Sequence, residues 1–119
     1  MPAGPDDRIR LNAFHGRVRA TTGEQLVADT CAAIELHETG YPVRLYLPRA
    51  DIAPGTLRVS DKRTHCPFKG DATYFNLQHA ATTLDDAAWS YEQPIDAMAA
   101  IAGYLSFDHP QLTLHIEEY

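Results

Sequence analysis

The residues with the most chemical potential lie in the run Thr64-His65-Cys66-Pro67-Phe68-Lys69-Gly70-Asp71. Pro67 holds Cys66 extended, and Gly70 can supply a positive-φ turn that presents Lys69 outward. A lysine beside exposed backbone N–H groups could hold a phosphate or carboxylate; a solvated lysine on a strand-connecting turn is the equal alternative. Cys66 could act as a nucleophile if a base made it a thiolate. Its neighbour His65 would point to the opposite side of an extended chain, so Cys66 reads better as a small core cysteine.

Aromatic residues form a second group. Trp89 and Tyr91 sit two apart and share one face of a strand, while Tyr46, Tyr74 and Tyr104 fall close to basic or glycine-bearing segments. Such rings can be the core of a small domain or the wall of a pocket. With Arg44, Arg49 and Lys69 at its rim, that wall would suit a small anionic ligand. Glu38 and Asp51 flank the Arg44–Arg49 segment and could bridge to its arginines.

Other chemistries find little support. The six histidines, His15, His37, His65, His79, His109 and His115, are dispersed singly, and no pair of cysteines stands two to four apart, so no metal is expected. Asp85-Asp86 and Glu117-Glu118 read as solvated surface rather than an acid/base pair. No cofactor is expected either.

The elements that must position these groups belong to one domain: 119 residues, 45% hydrophobic and 22% charged, are of ordinary globular composition. Arg17–Ala20, the Thr22-Gly23 turn and Leu26–Ala28 read as a hairpin. Val43, Leu45 and Leu47 share one strand face and leave Arg44 and Tyr46 on the other, until Pro48 ends the strand. Residues 50–63, with Pro54-Gly55 and little apolar periodicity, read as a surface loop. Alternation returns over residues 73–79, at Trp89 and Tyr91, and at Leu112, Leu114 and Ile116. Pro94, Asp96 and the stripe Ile95, Met98, Ala102 and Leu105 predict one helix over roughly 94–106. The expected fold is mainly β with a minor α component: a compact antiparallel domain at 16–119 carrying that helix, behind a polar lead-in at 1–15.

The net charge of -6 makes nucleic acid a poor partner. Yet all ten basic residues lie at or before Lys69, and the segment from Arg44 to Lys69 holds six of them against two acids. No apolar run approaches a membrane span or a signal segment, and two cysteines do not make a disulfide framework; a reduced, cytoplasmic setting is expected.

Several blocks together resemble a bacterial family, the domain of unknown function 427: Arg44-Leu45-Tyr46-Leu47-Pro48-Arg49-Ala50-Asp51, residues 64–74, and Ala87-Ala88-Trp89-Ser90-Tyr91. Leu26–Asp29, Glu38-Thr39-Gly40 and Ile101–Phe107 extend the resemblance over roughly 16–107. It implies a β-tent domain, a fold shared with methionine-sulfoxide reductases of the B class and cereblon's ligand domain. The cysteine pairs that bind zinc in many β-tent proteins are absent here, so neither their metal nor their thiol chemistry carries over. Members sometimes bear a nucleotidyltransferase-like label, but the Gly-Ser start and spaced acidic pair of that chemistry are missing too. The positions matching the family pattern are Tyr46, Pro48, Arg49, Cys66, Lys69, Gly70, Tyr74, Trp89 and Tyr91.

The leading expectation is a domain that binds a small anionic metabolite between Tyr46, Tyr74, Trp89 and Tyr91, clamped by Arg49 and Lys69. An enzyme using Cys66 or Lys69 is the first alternative. A protein-interaction module offering an edge strand and the acidic C-terminal half is the second.

Overall fold

Period-two alternation is satisfied almost everywhere by antiparallel pairing. The computed structural model describes residues 8–119 and places ten strands in three sheets. The first sheet has β1 (Ile9–Ala13), β4 (Ile34–Glu38) and β5 (Arg44–Tyr46) in the order β1-β4-β5. The second joins β10 (Thr113–Glu118) to the hairpin β2 (Gly16–Thr22) and β3 (Gln25–Thr30). The third runs β6-β7-β8-β9, from β6 (Leu57–Cys66) through β7 (Gly70–His79) and β8 (Thr82–Tyr91) to β9 (Ser106–Phe107). Every paired ladder is antiparallel, and the domain is mainly β as its sequence pattern requires.

Both faces of the third sheet are covered. Phe75, Leu77, Leu84 and Ala88 point to one side and pack with Val18, Val27, Leu47 and Leu105. Ala72 and Tyr91 point to the other, where Leu36, Tyr46, Met98 and Ile101 complete a second core with Tyr74 and Trp89 half-buried against it. Reciprocal 2.8 Å backbone hydrogen bonds between Leu47 and Leu105 stitch the end of β5 to the approach to β9. Both side chains are fully buried, which stabilises the fold by about 1.5–3 kcal/mol each.

Three expectations change. The segment 50–63 is only in part a loop: after a short 3-10 turn at Arg49–Asp51 and the Pro54-Gly55 turn, residues 57–66 form β6. Among the described residues that strand ends its sheet and pairs only with β7, so it needs no continuous apolar face. Its exposed Arg58, Asp61, Lys62 and Arg63 are charges of the kind that discourage edge-to-edge association. The helix expected at 94–106 is a 3-10 helix, Asp96–Ile101. Ile95 N–H bonds to the Lys69 carbonyl before it and Gly103 N–H to the Tyr91 carbonyl after it. A 3-10 helix rises ~2.0 Å per residue against ~1.5 Å for an α-helix and so spans more with six residues. Its i, i+3 eclipse buries Met98 and Ile101 together while Ala102 stays exposed. Finally, residues 9–13 fall within the lead-in expected at 1–15, yet they form β1; residues 1–7 lie outside the described residues.

Candidate ligand cavity

Tyr74 and Trp89 are direct partners across the β7–β8 ladder, which sets their rings 6.0 Å apart at 37°. Tyr91 follows two residues after Trp89 on the same face, 6.4 Å from the ring of Tyr46 on β5. Trp89 Nε1–H donates to Tyr46 Oη at 3.1 Å and so links the two sheets. These four rings line one cavity of about 460 Å³ with Leu36, Pro42 and Cys66, and Tyr41 stands two-thirds exposed at its wall. Burial pushes the Tyr46 phenol up to about 12, outweighing the opposing effect of the Trp89 hydrogen bond. Burial, with Tyr46 beside it, also raises Tyr91. Both phenols are therefore neutral near pH 7.

Six charged side chains line the same cavity: Glu38, Arg44, Lys62, Lys69, Asp86 and Asp108. Lys69 Nζ donates to Glu38 Oε1 at 2.6 Å with both side chains largely buried, which ties the β6–β7 turn to the end of β4. Arg44 reaches Asp108 at 3.4 Å and lies 5.3 Å from the Trp89 ring centre. Lys62 Nζ sits 4.4 Å from the Tyr74 ring centre, a cation–π contact.

Two β-bulges aim residues into this space. Between the pairs Val59↔Phe75 and Arg63↔Thr73, three residues of β6 face Tyr74 alone. Between Phe75↔Ala88 and Leu77↔Leu84, three residues of β8 face Asn76 alone, with Asp86 at φ 50°. The bulges hold each other: Lys62 N–H donates to Ser60 Oγ, Ser60 Oγ–H to Asp86 Oδ1, and Asp86 N–H to Asn76 Oδ1. Bulges beside a site commonly re-aim a side chain, and here they put Lys62 and Asp86 on the cavity wall.

Of the six residues expected to bind ligand, the fold brings Tyr46, Lys69, Tyr74, Trp89 and Tyr91 together and leaves Arg49 apart. The turn after Pro48 carries Arg49 to Glu92, whose Oε1 it meets at 3.0 Å, and over the Phe75 ring on the opposite face of the sheet. Glu38 and Asp51 do not bridge to the arginines: Glu38 holds Lys69, and Asp51 accepts the Thr30 hydroxyl at 2.7 Å. Cys66 is half-buried on the cavity wall, where no lining residue is a histidine to serve it as base. Arg44 stands on the cavity wall, where it was expected at the rim. Lys62 and Asp86 are additional wall residues: Lys62 was signalled only by its place in the basic segment, and Asp86, expected as solvated surface, is half-buried because the bulge turns it inward.

Residues 10–118 match the model of a family described as a domain of unknown function, DUF427. The chain belongs to the DUF427 family. Comparison with curated proteins finds no match. The DUF427 span begins inside β1 and ends inside β10, so it encloses every residue of the cavity wall, from Leu36 to Asp108.

Proposed function

We propose that this domain binds a small anionic metabolite in the aromatic-walled cavity. The observation that carries the reading is the convergence of Tyr46, Tyr74, Trp89 and Tyr91 on one space of about 460 Å³, against a range of roughly 300–1,000 Å³ for ligand pockets. A planar or unsaturated part of the ligand packs against the aromatic wall that these rings form. Its anionic group meets Lys62, because the cavity's other cations are already paired, Lys69 with Glu38 and Arg44 with Asp108, and Arg49 lies outside the cavity against Glu92. The two cysteines are unpaired thiols, which supports a reducing, cytoplasmic setting.

Cys66 reports on this reading directly. It lines the cavity, whereas Cys31 is exposed and absent from the wall, so the pair forms a probe and its internal control. Compounds that raise the melting temperature in a metabolite screen are expected to slow iodoacetamide modification of Cys66 at least about fivefold and leave Cys31 unchanged, measured by mass spectrometry of the peptides. Stabilising compounds that leave both rates unchanged would place binding elsewhere and sink the reading.

A further inference from the structure

The cavity's charges do not all cancel. Among the described residues, four of its six charged side chains form two ion pairs, Lys69 with Glu38 and Arg44 with Asp108. Among those residues Lys62 has no carboxylate within 4.0 Å and Asp86 no cation, so within the described structure one unpaired charge of each sign faces the same space. Both residues are delivered by a bulge. In an unbroken ladder one residue of β6 and one of β8 would oppose each residue of β7; instead three oppose Tyr74 on one side and three oppose Asn76 on the other. The left-handed backbone of Asp86 is one that non-glycine residues adopt only at a cost, and it is held by hydrogen bonds from Ser60 and to Asn76. Ser60 Oγ–H and the Lys62 N–H form one chain with Asp86, so the position of each bulge depends on the other.

We infer that the ligand is a zwitterion of the α-amino-acid type with an aromatic or other planar side chain, its carboxylate on Lys62 and its ammonium on Asp86. This rests on the aromatic-cavity reading above, keeps its carboxylate on Lys62, and replaces the net anion by a zwitterion. A purely anionic ligand would gain Lys62 but bring its charge towards Asp86; a purely cationic one would gain Asp86 and oppose Lys62. An amino acid satisfies both and leaves its side chain to stack on Tyr74 and Trp89, whose rings stand beside the bulges. The Asp86 carboxylate keeps one oxygen for this role, since Ser60 occupies only Oδ1.

Trp89 is the sole tryptophan, so its emission reads the cavity alone. The test compares three probes with one phenyl ring and one chain length: L-phenylalanine, hydrocinnamate without the amine, and phenethylamine without the carboxylate. Phenylalanine is expected to bind at least about tenfold tighter than either, a difference of one charged contact. Lys62→Gln should bring phenylalanine to the affinity of phenethylamine, and Asp86→Asn to that of hydrocinnamate. Asparagine tolerates the left-handed backbone and can still accept from Ser60, so the Asp86→Asn variant is expected to fold. Hydrocinnamate binding as tightly as phenylalanine, with no effect of Asp86→Asn, would overturn the zwitterion and leave the anion-binding cavity standing. No response of Trp89 to any of the three would overturn the inference, and the Cys66 protection assay then decides the cavity reading independently.

Discussion

Replacing Glu38 with leucine is expected to lower the unfolding free energy by about 3–5 kcal/mol, because Lys69 would be left as an uncompensated charge in a largely buried site. The pair is more than local. Glu38 ends β4, and Lys69 sits in the turn between β6 and β7, so their 2.6 Å contact joins two sheets at the cavity. The turn is itself braced, since the Lys69 carbonyl accepts from Ile95 N–H and its own N–H reaches the Cys66 carbonyl. The double variant Glu38→Leu/Lys69→Met removes both charges and should recover most of the loss. Urea unfolding of the three proteins measures this; a Glu38→Leu cost below about 1 kcal/mol would mean that the pair is solvated and worth no more than a surface bridge.

Tyr46→Ala is expected to cost about 3–5 kcal/mol, the range for deleting a fully buried aromatic side chain. Tyr46→Phe keeps the ring and removes only the acceptor of the Trp89 indole N–H, so its cost should be smaller, about 1–3 kcal/mol. The phenol adds a pH signature. The unfolded tyrosine ionises near 10 and the buried one near 12, so the unfolded chain loses this proton first. Tyr46 therefore contributes its full share below pH 10, that share falls by about 3 kcal/mol as pH rises to 12, and no more is lost from it beyond. Urea midpoints across this interval, for the natural protein and Tyr46→Phe, should converge at the alkaline end. A parallel decline in both would assign the alkaline loss to other groups.

Much of the cavity was legible because strand periodicity reports faces. The two-residue spacing of Trp89 and Tyr91 put both rings on one side of β8, and the alternation around Tyr46 put it opposite Leu45 and Leu47, which pack in the other core. The β2–β3 hairpin followed from its Thr22-Gly23 turn, with Gly23 at φ 58°. Gly70 likewise adopts φ 120°, where an added Cβ would stand 3.2 Å from the Pro94 backbone. Edge strand β6 was not legible, since a strand paired on one side and exposed along its length carries no apolar stripe. Hidden with it was Lys62, whose direction depends on a bulge defined only against β7. The Lys69–Glu38 pair spans 31 positions of sequence, and no local pattern announces such a partnership. Arg49 was misplaced for a related reason: its charge and neighbours suited an anion clamp, but the 3-10 turn after Pro48 carries it to the other face of the sheet.

The most direct test of the cavity as the binding site is a nitrogen–proton correlation spectrum of the labelled protein, in which Trp89 supplies the sole indole N–H signal. Titrating a compound that stabilises the protein should move that signal together with the backbone amides of Lys62, Tyr74 and Asp86. Shifts confined instead to the β10-β2-β3 sheet, with the Trp89 indole unmoved at saturation, would contradict the account.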